Sequence, residues 1–371
     1  MFDYRQTRHD EVRRVIKPMG RLRLLDWEPY WDSNLRNYGL NWQQTAYAGL
    51  HELHYGIQYG KMVYEIRNEA GKYELPSTGI FVEDDWTLTE RTSLGLSLRY
   101  DRNQFEANRG ALRDKTHTQL SPGVKITQRL GKGQSVYLGA RRLFRAPTVA
   151  DYSRWSTGYI DNANEYRNAF APTLSHAEWQ PLLGVPAPEK GMSYELGWRA
   201  KMGDTAVGVT GFYYDIDNFL NIQFKGNLRP PIVYNIDNVK VKGIELTGTH
   251  RFDPHWTLSA GYTRQSTSKS GDRFHAPLKG MPESTFNAGL HWDNLRGWQS
   301  ALDLRYIGSI PTSSDSDYIS PYMVADLTVS YAFKSHIINF AVNNLFDRYY
   351  EQTPDFRQPG INYNLSYQYT F

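Results

Sequence analysis

Asn362-Tyr363-Asn364-Leu365-Ser366-Tyr367-Gln368-Tyr369-Thr370-Phe371 ends the chain, and this stretch decides the fold. Its odd positions are apolar or aromatic, and its even positions are polar. Successive side chains of a β-strand point to opposite faces, so the stretch predicts a strand with one apolar and one polar face. A strand at a chain end frays unless a sheet holds it, which predicts that this strand belongs to a sheet.

The same alternation recurs along the chain. It is found in 53–60, 94–101, 192–201, 256–262, 286–292 and 323–333. No stretch shows a helical period, so the chain is predicted to be nearly all-β. Val239 and Val241 share one phase while Ile244 and Leu246 share the other, which predicts a β-bulge at Gly243.

The composition combines a polar average with many aromatic rings. Of the 371 residues 40% are hydrophobic and the mean hydropathy is -0.62, yet 14% are aromatic. A wide membrane barrel accommodates both, because it turns rings to lipid and polar groups to a wet interior. No apolar run approaches the roughly 18 residues of a membrane helix. The absence of Cys excludes disulfides and thiolate metal sites, and a net charge of +3 is too small to indicate nucleic acid.

Short and long connections alternate along the sequence. The short ones are 89–91, 130–133, 203–204, 253–255, 294–297 and 334–335, and the long ones are 64–76, 106–117, 144–190, 269–283, 309–321 and 346–361. Short periplasmic turns and long extracellular loops are typical of outer-membrane barrels, so we predict an antiparallel transmembrane β-barrel with about sixteen strands. Five tryptophans next to short turns predict an inner aromatic girdle: Trp86, Trp198, Trp256, Trp292 and Trp298.

Five motifs resemble those of a known family. They are Leu143-Phe144-Arg145-Ala146-Pro147-Thr148, Pro188-Glu189-Lys190-Gly191-Met192-Ser193-Tyr194-Glu195-Leu196-Gly197, Asn238-Val239-Lys240-Val241-Lys242-Gly243-Ile244-Glu245-Leu246, Asn343-Asn344-Leu345-Phe346-Asp347-Arg348-Tyr349-Tyr350 and the terminal Phe371. From residue 35 to the end, the chain resembles the barrel of TonB-dependent outer-membrane receptors. Such barrels have about 22 strands and a plugged lumen. The resemblance implies that residues 1–371 are one partial barrel domain, without the N-terminal plug and the first strands.

The resemblance also implies a function and partners. The whole receptor would lie in the Gram-negative outer membrane and import a ferric siderophore, and a fragment would not transport alone. The TonB complex would act only through the missing plug, and Phe371 would be read by the barrel-assembly machinery. Two open sheet edges in hydrocarbon are costly, so the isolated chain is expected to fold poorly or to close as a smaller barrel. We expect no enzyme activity and no cofactor.

The 144–190 connection is the predicted ligand-binding loop. Arginines supply charge and planar donors to an anionic ligand, and Tyr and Trp supply stacking faces. The candidate residues are Arg145, Tyr152, Arg154, Trp155, Tyr159, Tyr166, Arg167, His176 and Trp179. The alternative is a surface loop whose rings pack on one another.

A haem receptor is one alternative. His176 lies between the two motifs that flank the loop, where related haem receptors place an iron ligand. The second motif, however, has Val185-Pro186-Ala187-Pro188 in place of the Asn-Pro-Asn-Leu of haem receptors. A passive porin-like channel and a soluble β-sandwich or propeller that binds carbohydrate are two further alternatives.

Charged residues on the polar phase of the strands predict a charged lumen wall or ordinary solvation of the lumen. They are Arg99, Asp101, Glu195, Arg199, Lys201, Asp303 and Arg305. The carboxylate clusters at 83–85, 215–217 and 315–317 lack the spacing of a calcium loop, so no metal site is predicted. Glu83 and Asp85 are expected to face the lumen.

Overall fold

The structure is a computed structural model. It describes residues 2–19, 22–66, 71–107, 114–156, 173, 175, 185–223, 232–272, 278, 280–312, 318–353 and 356–370. Within these ranges the side chains of 2–32, 66, 71, 153–156, 223, 232 and 353 are left out of the description.

In the described residues one antiparallel sheet of sixteen strands makes up most of the structure, as predicted. Its strands, each paired with the next, are β1 (Phe2–Met19), β2 (Leu22–Ala48), β3 (His51–Ile66), β4 (Gly71–Thr87), β5 (Thr92–Ala107), β6 (Lys115–Gly131), β7 (Gln134–Arg145), β8 (Glu189–Met202), β9 (Thr205–Gln223), β10 (Ile232–Arg251), β11 (Trp256–Ser270), β12 (Ser284–Asp293), β13 (Trp298–Ile307), β16 (Tyr322–Phe333), β17 (His336–Asn343) and β20 (Asn362–Tyr369). Two small ribbons, β14 (Ile310–Pro311) with β15 (Tyr318–Ile319) and β18 (Glu351–Thr353) with β19 (Phe356–Arg357), lie in its long connections. The helix α1 (Val149–Ser156) was not predicted.

On one rim of the sheet all connections are short turns of two to four residues. They are 49–50, 88–91, 132–133, 203–204, 252–255, 294–297 and 334–335. Gly133 has φ +74 and a Cβ there would lie 2.3 Å from the Lys201 carbonyl oxygen, so this turn requires glycine.

The strands extend further towards the long-loop rim than the sequence predicted. Residues 64–76 were expected to be a connection, yet Tyr64 pairs with Tyr73 and the two strands leave only 67–70 between them. In this part of the strands the apolar side chains lie mostly on the inner face, where Met62 and Leu75 pack against buried rings, and the outer face is mostly polar. The same effect shortens the predicted 106–117 connection to 108–114.

The bulge predicted at Gly243 is wrong. The pairing of β10 with β9 and β11 runs through this glycine without a shift. A Cβ on Gly243 would lie 2.4 Å from the Phe212 ring, so the glycine makes room for that ring. Val239 and Val241 lie on the same face as Gly243, whereas Ile244 and Leu246 lie on the opposite face.

The two faces of the sheet differ in polarity. The outer face, defined by Leu96 and the residues in register with it, carries a band of exposed apolar side chains. Tryptophans on this face lie at the short-turn rim: Trp86, Trp198, Trp256, Trp292 and Trp298. A second row, of tyrosines, bounds the band on the other side: Tyr59, Tyr100, Tyr194, Tyr213 and Tyr262. The first row lies where the predicted girdle was expected.

The inner face is the one that carries α1, and its lower part, towards the short-turn rim, is polar. Ser330 and Asn339 are hydrogen-bonded across β16 and β17 at 2.6 Å, and Asn339 donates to Ser366 on β20 at 3.3 Å. On β20, Tyr363 and Leu365 are 65% and 73% exposed on the outer face, as the terminal stretch predicted.

The edges of the sheet are β1 and β20. Among the strand pairs of the described residues, β1 pairs with β2 alone and β20 with β17 alone. The described part of the chain therefore does not form the smaller closed barrel that we expected as one outcome. The described helix is too short and too polar to cross a membrane.

Candidate functional site

The 146–188 connection leaves the sheet through a capped helix. The Thr148 backbone N–H and hydroxyl donate to Asp151 Oδ2 at 2.8 and 2.9 Å, and the Asp151 N–H donates to Thr148 Oγ1 at 3.3 Å. This reciprocal capping starts α1 directly after β7. The motif at 143–148 thus ends a strand and begins a helix.

An ion pair joins the two ends of this connection. Arg145 ends β7, Glu189 starts β8, and the two residues are cross-strand partners. Arg145 donates from Nε to Glu189 Oε2 at 2.8 Å and from Nη2 to Oε1 at 2.6 Å. Glu189 Oε1 also accepts the Leu220 backbone N–H at 2.8 Å. The two-fold Arg–carboxylate contact has the geometry of a strong pair, although the Arg145 side chain remains 46% exposed.

Tyr152 anchors α1 to the inner face. It is completely buried, its ring stacks on Phe105 with centroids 4.0 Å apart, and its hydroxyl is hydrogen-bonded to His117 Nε2 at 2.7 Å. Burial raises the pKa of the Tyr152 phenol, and the Asp151 charge adds to the rise. The hydroxyl therefore stays protonated at neutral pH.

Tyr152 is one member of an apolar cluster on the upper part of the inner face, towards the long-loop rim. The cluster draws on β4, β5, α1, β9 and β10. Its buried members are Tyr73, Phe105, Val149, Tyr152, Phe212, Leu220, Val233, Tyr234, Ile236, Val239, Val241 and Leu278. The cluster fixes where α1 lies on the inner face of the sheet.

The predicted loop residues are only partly within the described ranges. Arg145 and Tyr152 are brought together at the base of the loop, since both lie next to Asp151. Arg154 and Trp155 lie on α1, and their side chains are outside the description. The other five candidates lie outside the described residues: Tyr159, Tyr166, Arg167, His176 and Trp179. Contact of these nine residues with a ligand stays a prediction.

Sequence reasoning missed three partners that hold the site together. Glu189 and His117 bind Arg145 and Tyr152, and Phe105 supplies the stacking face. Glu189 was present in a quoted motif, and Thr148 with Asp151 has the spacing of a capping box. His117 and Phe105 carried no such signal, because their role depends on register between β5 and β6.

Below the cluster the inner wall is polar and charged, as the strand phase predicted. The Tyr137 ring has Lys125 Nζ 4.9 Å and the Arg199 guanidinium 5.1 Å from its centroid, and its hydroxyl is hydrogen-bonded to Thr210 at 2.9 Å. A cleft of about 410 Å³ beside it is lined by Glu83, Asp85, Lys125, Arg141 and Glu195, among others. Arg99 donates to Asp101 from Nε at 2.9 Å.

The carboxylates of the described strands and turns do not gather into a metal site. Within the described ranges no group of three His, Asp or Glu side chains converges in a way that would hold a metal ion. The acidic stretch at 315–317 lies outside those ranges. The described site therefore consists of an aromatic cluster and an ion pair near the long-loop rim, with a polar inner wall below them.

The family comparison covers most of the chain. The profile of the family described as "TonB dependent receptor-like, beta-barrel" matches residues 2–345. The resemblance recognised from the sequence began at residue 35, which was too late, because β1 and β2 belong to the same match. Their alternation is weak, and their pairing was not visible in the sequence.

Relatives and solved structures agree with the family. The ferrienterobactin receptor of Escherichia coli (strain K12) is 25% identical over 303 residues, which are 76% of this chain and 38% of that protein. The structure titled "Copper transporter OprC" has a TM-score of 0.74 at 16% identity and covers 100% of this chain and 62% of that one. A ferric enterobactin receptor (PfeA) mutant from Pseudomonas aeruginosa gives 0.72 at 18% identity, covering 100% and 59%. The two structures show the fold alone, and this chain spans less than two thirds of each of the three proteins.

Proposed function

The chain belongs to the TonB-dependent receptor β-barrel family, and from this premise we propose that it acts in TonB-dependent uptake of a ferric siderophore. The family is one of outer-membrane receptors and transporters rather than enzymes. We place this chain in the outer membrane of a Gram-negative cell, with its short turns in the periplasm and its long loops outside.

The observation that carries the proposal is the construction of the long-loop rim. The ends of the 146–188 connection are tied to the sheet by the Arg145–Glu189 pair, and Tyr152 holds its first helix on the inner face. Between these anchors the sequence is rich in Arg, Tyr and Trp, which bind an anionic, ring-bearing ligand by charge and stacking. The likeness to the ferrienterobactin receptor points to a siderophore of this chemistry.

The partners follow from the same proposal. Lipid of the outer membrane would contact the apolar band on the outer face. The TonB complex would act on the whole receptor through its plug. Phe371, which lies outside the described residues, would be the signal for the assembly machinery.

Ligand binding by the full chain tests the proposal. Ferric enterobactin is added to the 371-residue chain in nonionic detergent, and quenching of tryptophan fluorescence is followed. We expect saturable binding that is at least about tenfold weaker in an R154A/R167A variant, because two planar cationic contacts are lost. The matched control is R91A/R129A. Arg91 lies in the turn between β4 and β5, and Arg129 lies near the end of β6, so both are at the short-turn rim and binding is expected to be unchanged.

Three outcomes would contradict this function. Equal binding of iron-free enterobactin would show that the site does not select the ferric complex. Equal weakening in the control would show that binding does not depend on the arginines of the 146–188 connection. A haem-induced Soret shift that disappears in His176→Ala, without ferric enterobactin binding, would favour haem uptake instead.

A further inference from the structure

A groove of about 740 Å³ opens on the outer face across β8 to β11. Its floor is apolar. Gly211 lies between Leu196 and Ile244 on the neighbouring strands, and both are exposed. A Cβ on Gly211 would meet only the Leu196 carbonyl oxygen, at 4.0 Å. The missing side chain therefore leaves a channel in an otherwise filled apolar surface.

The upper wall of the groove lies at the boundary of the apolar band. Tyr194 and Tyr213 are cross-strand partners whose rings are 6.3 Å apart. Both belong to the tyrosine row that bounds the band. Rings with a polar handle settle where lipid headgroups begin, so this wall is at headgroup depth.

Two basic residues stand at the same depth. Lys242 is opposite Ser266 and Arg264 is opposite Ile244, so the two cations are diagonal neighbours on one face. Diagonal neighbours have Cβ atoms about 7–8 Å apart, a span that one phosphate group bridges between long side chains. Both residues line the groove, and its lining contains two carboxylates, Glu195 and Glu283.

The two cations differ from the basic residue beside them. Lys240 Nζ lies 3.9 Å from Asp215 Oδ2. Among the ion pairs found in the described ranges, none involves Lys242 or Arg264. A cation next to the hydrocarbon core is stabilised by an anion or by water, and anionic lipid headgroups attract such cations.

We propose that this groove binds a lipid with a phosphate headgroup. An acyl chain would lie along the floor over Gly211, and the phosphate would be held between the Lys242 ammonium and the Arg264 guanidinium. Charge complementarity and the apolar floor identify the occupant as a phosphorylated lipid rather than an uncharged one. The proposal requires the outer face to meet lipid but does not depend on which ligand the loops bind.

Lipid binding by the full chain in nonionic detergent tests the proposal. Dioctanoyl phosphatidic acid is compared with dioctanoylglycerol, which lacks the phosphate, and bound lipid is counted by native mass spectrometry. We expect the phosphatidic acid to bind and the diacylglycerol not to. K242Q/R264Q should bind roughly 30-fold more weakly, since each basic residue at an anionic surface contributes about fivefold.

Two further variants locate the site. R102Q/K132Q removes two exposed cations elsewhere, Arg102 at the same depth on β5 and Lys132 in a short turn, and is expected to bind like the wild type. Gly211→Leu fills the floor without meeting backbone and should weaken binding about tenfold through lost acyl contact. Folding of each variant is checked by heat-modifiable gel mobility, and Gly211→Leu decides alone if K242Q/R264Q does not fold.

Several results would overturn the proposal. Equal binding of the diacylglycerol, equal weakening in R102Q/K132Q, or unchanged binding in Gly211→Leu would each show that no such groove site exists. Displacement of the lipid by millimolar inorganic phosphate would show that the cations bind free phosphate rather than a lipid.

Discussion

The upper and lower parts of the inner face are built on the same strands yet have opposite polarity. On β10, Val239 and Val241 are buried near the long-loop rim. Glu245 and Thr247 share their phase and are exposed towards the short-turn rim. The strand does not change conformation between them, and only what covers it changes. The polarity of this face therefore depends on whether the apolar cluster that includes α1 covers it.

The two parts also stabilise the fold differently. The upper part excludes water, so burial of rings such as Phe105 and Tyr152 dominates there. The lower part is open to solvent, and its charged side chains form pairs such as Arg99 with Asp101. Because the Arg99 side chain is 38% exposed, this pair adds little to the stability of the fold. Changes in the upper part are thus expected to have larger effects.

The largest expected effect tests the polarity switch itself. Val239→Asp places an unpaired carboxylate in the dry cluster and should destabilise the chain by more than about 4 kcal/mol. Thr247→Asp, on the same face of the same strand, should change stability by less than about 1 kcal/mol. Urea unfolding in phospholipid vesicles measures both, and similar losses would refute the division of the inner face.

A smaller effect is expected from the anchor of the helix. Tyr152→Ala removes the stacked ring and should cost about 3–5 kcal/mol in the free energy of opening α1 from the sheet. Tyr152→Phe loses only the hydrogen bond to His117 and should cost about 1 kcal/mol. Amide hydrogen exchange of α1 reports this opening, and unchanged exchange in Tyr152→Ala would mean that the ring does not hold the helix.

A matched pair of glycines separates the two faces. Gly197 is covered by the Tyr137 ring, which a Cβ would approach to 2.2 Å, so Gly197→Ala should destabilise by about 1–3 kcal/mol. Gly211→Ala, on the outer face of the adjacent strand, has room and should stabilise by about 0.4–1 kcal/mol. The order of the two urea midpoints checks the prediction, and a reversed order would contradict it.

The smallest effect concerns the short-turn rim. Asp253 accepts the backbone N–H groups of His255 and Trp256, which lowers the pKa of its carboxyl. A lowered folded-state pKa gives stability that is present above the ordinary value and lost as the pH falls through the folded value. Trp256 fluorescence should therefore change on acidification below about pH 4. Asp253→Asn should remove this change, and a persisting one would assign it to another group.

The outer face made the fold predictable from sequence. Residues such as Leu96, Leu196 and Leu365 alternate with polar neighbours because one environment acts along the whole band. The strand number, the alternation of turns and the position of the tryptophans all followed from that pattern. The inner face was less predictable, because its buried part carries apolar side chains and its exposed part carries polar ones on the same strands. For this reason the change of phase at Gly243 was misread as a bulge.

The site was predictable as a region rather than as an arrangement. The length and composition of the 144–190 connection marked it, whereas ligand contact by Arg145 stays a prediction and its pairing with Glu189 was not foreseen. That Tyr152 is an anchor depends on Phe105 and His117, which come from other strands. Contacts of this kind depend on register, and single-sequence periodicity does not give the register between strands.

The order of the sheet has a consequence for how the chain folds. Each of its sixteen strands meets only the strands before and after it in the main sheet. Apart from β7 and β8, which the 146–188 connection separates, native pairing therefore joins segments that are close in sequence, and the entropy of loop closure stays small. Successive hairpins, each set in register by a turn such as 203–204 or 334–335, provide a sequential route in which every added strand uses the previous one as its template.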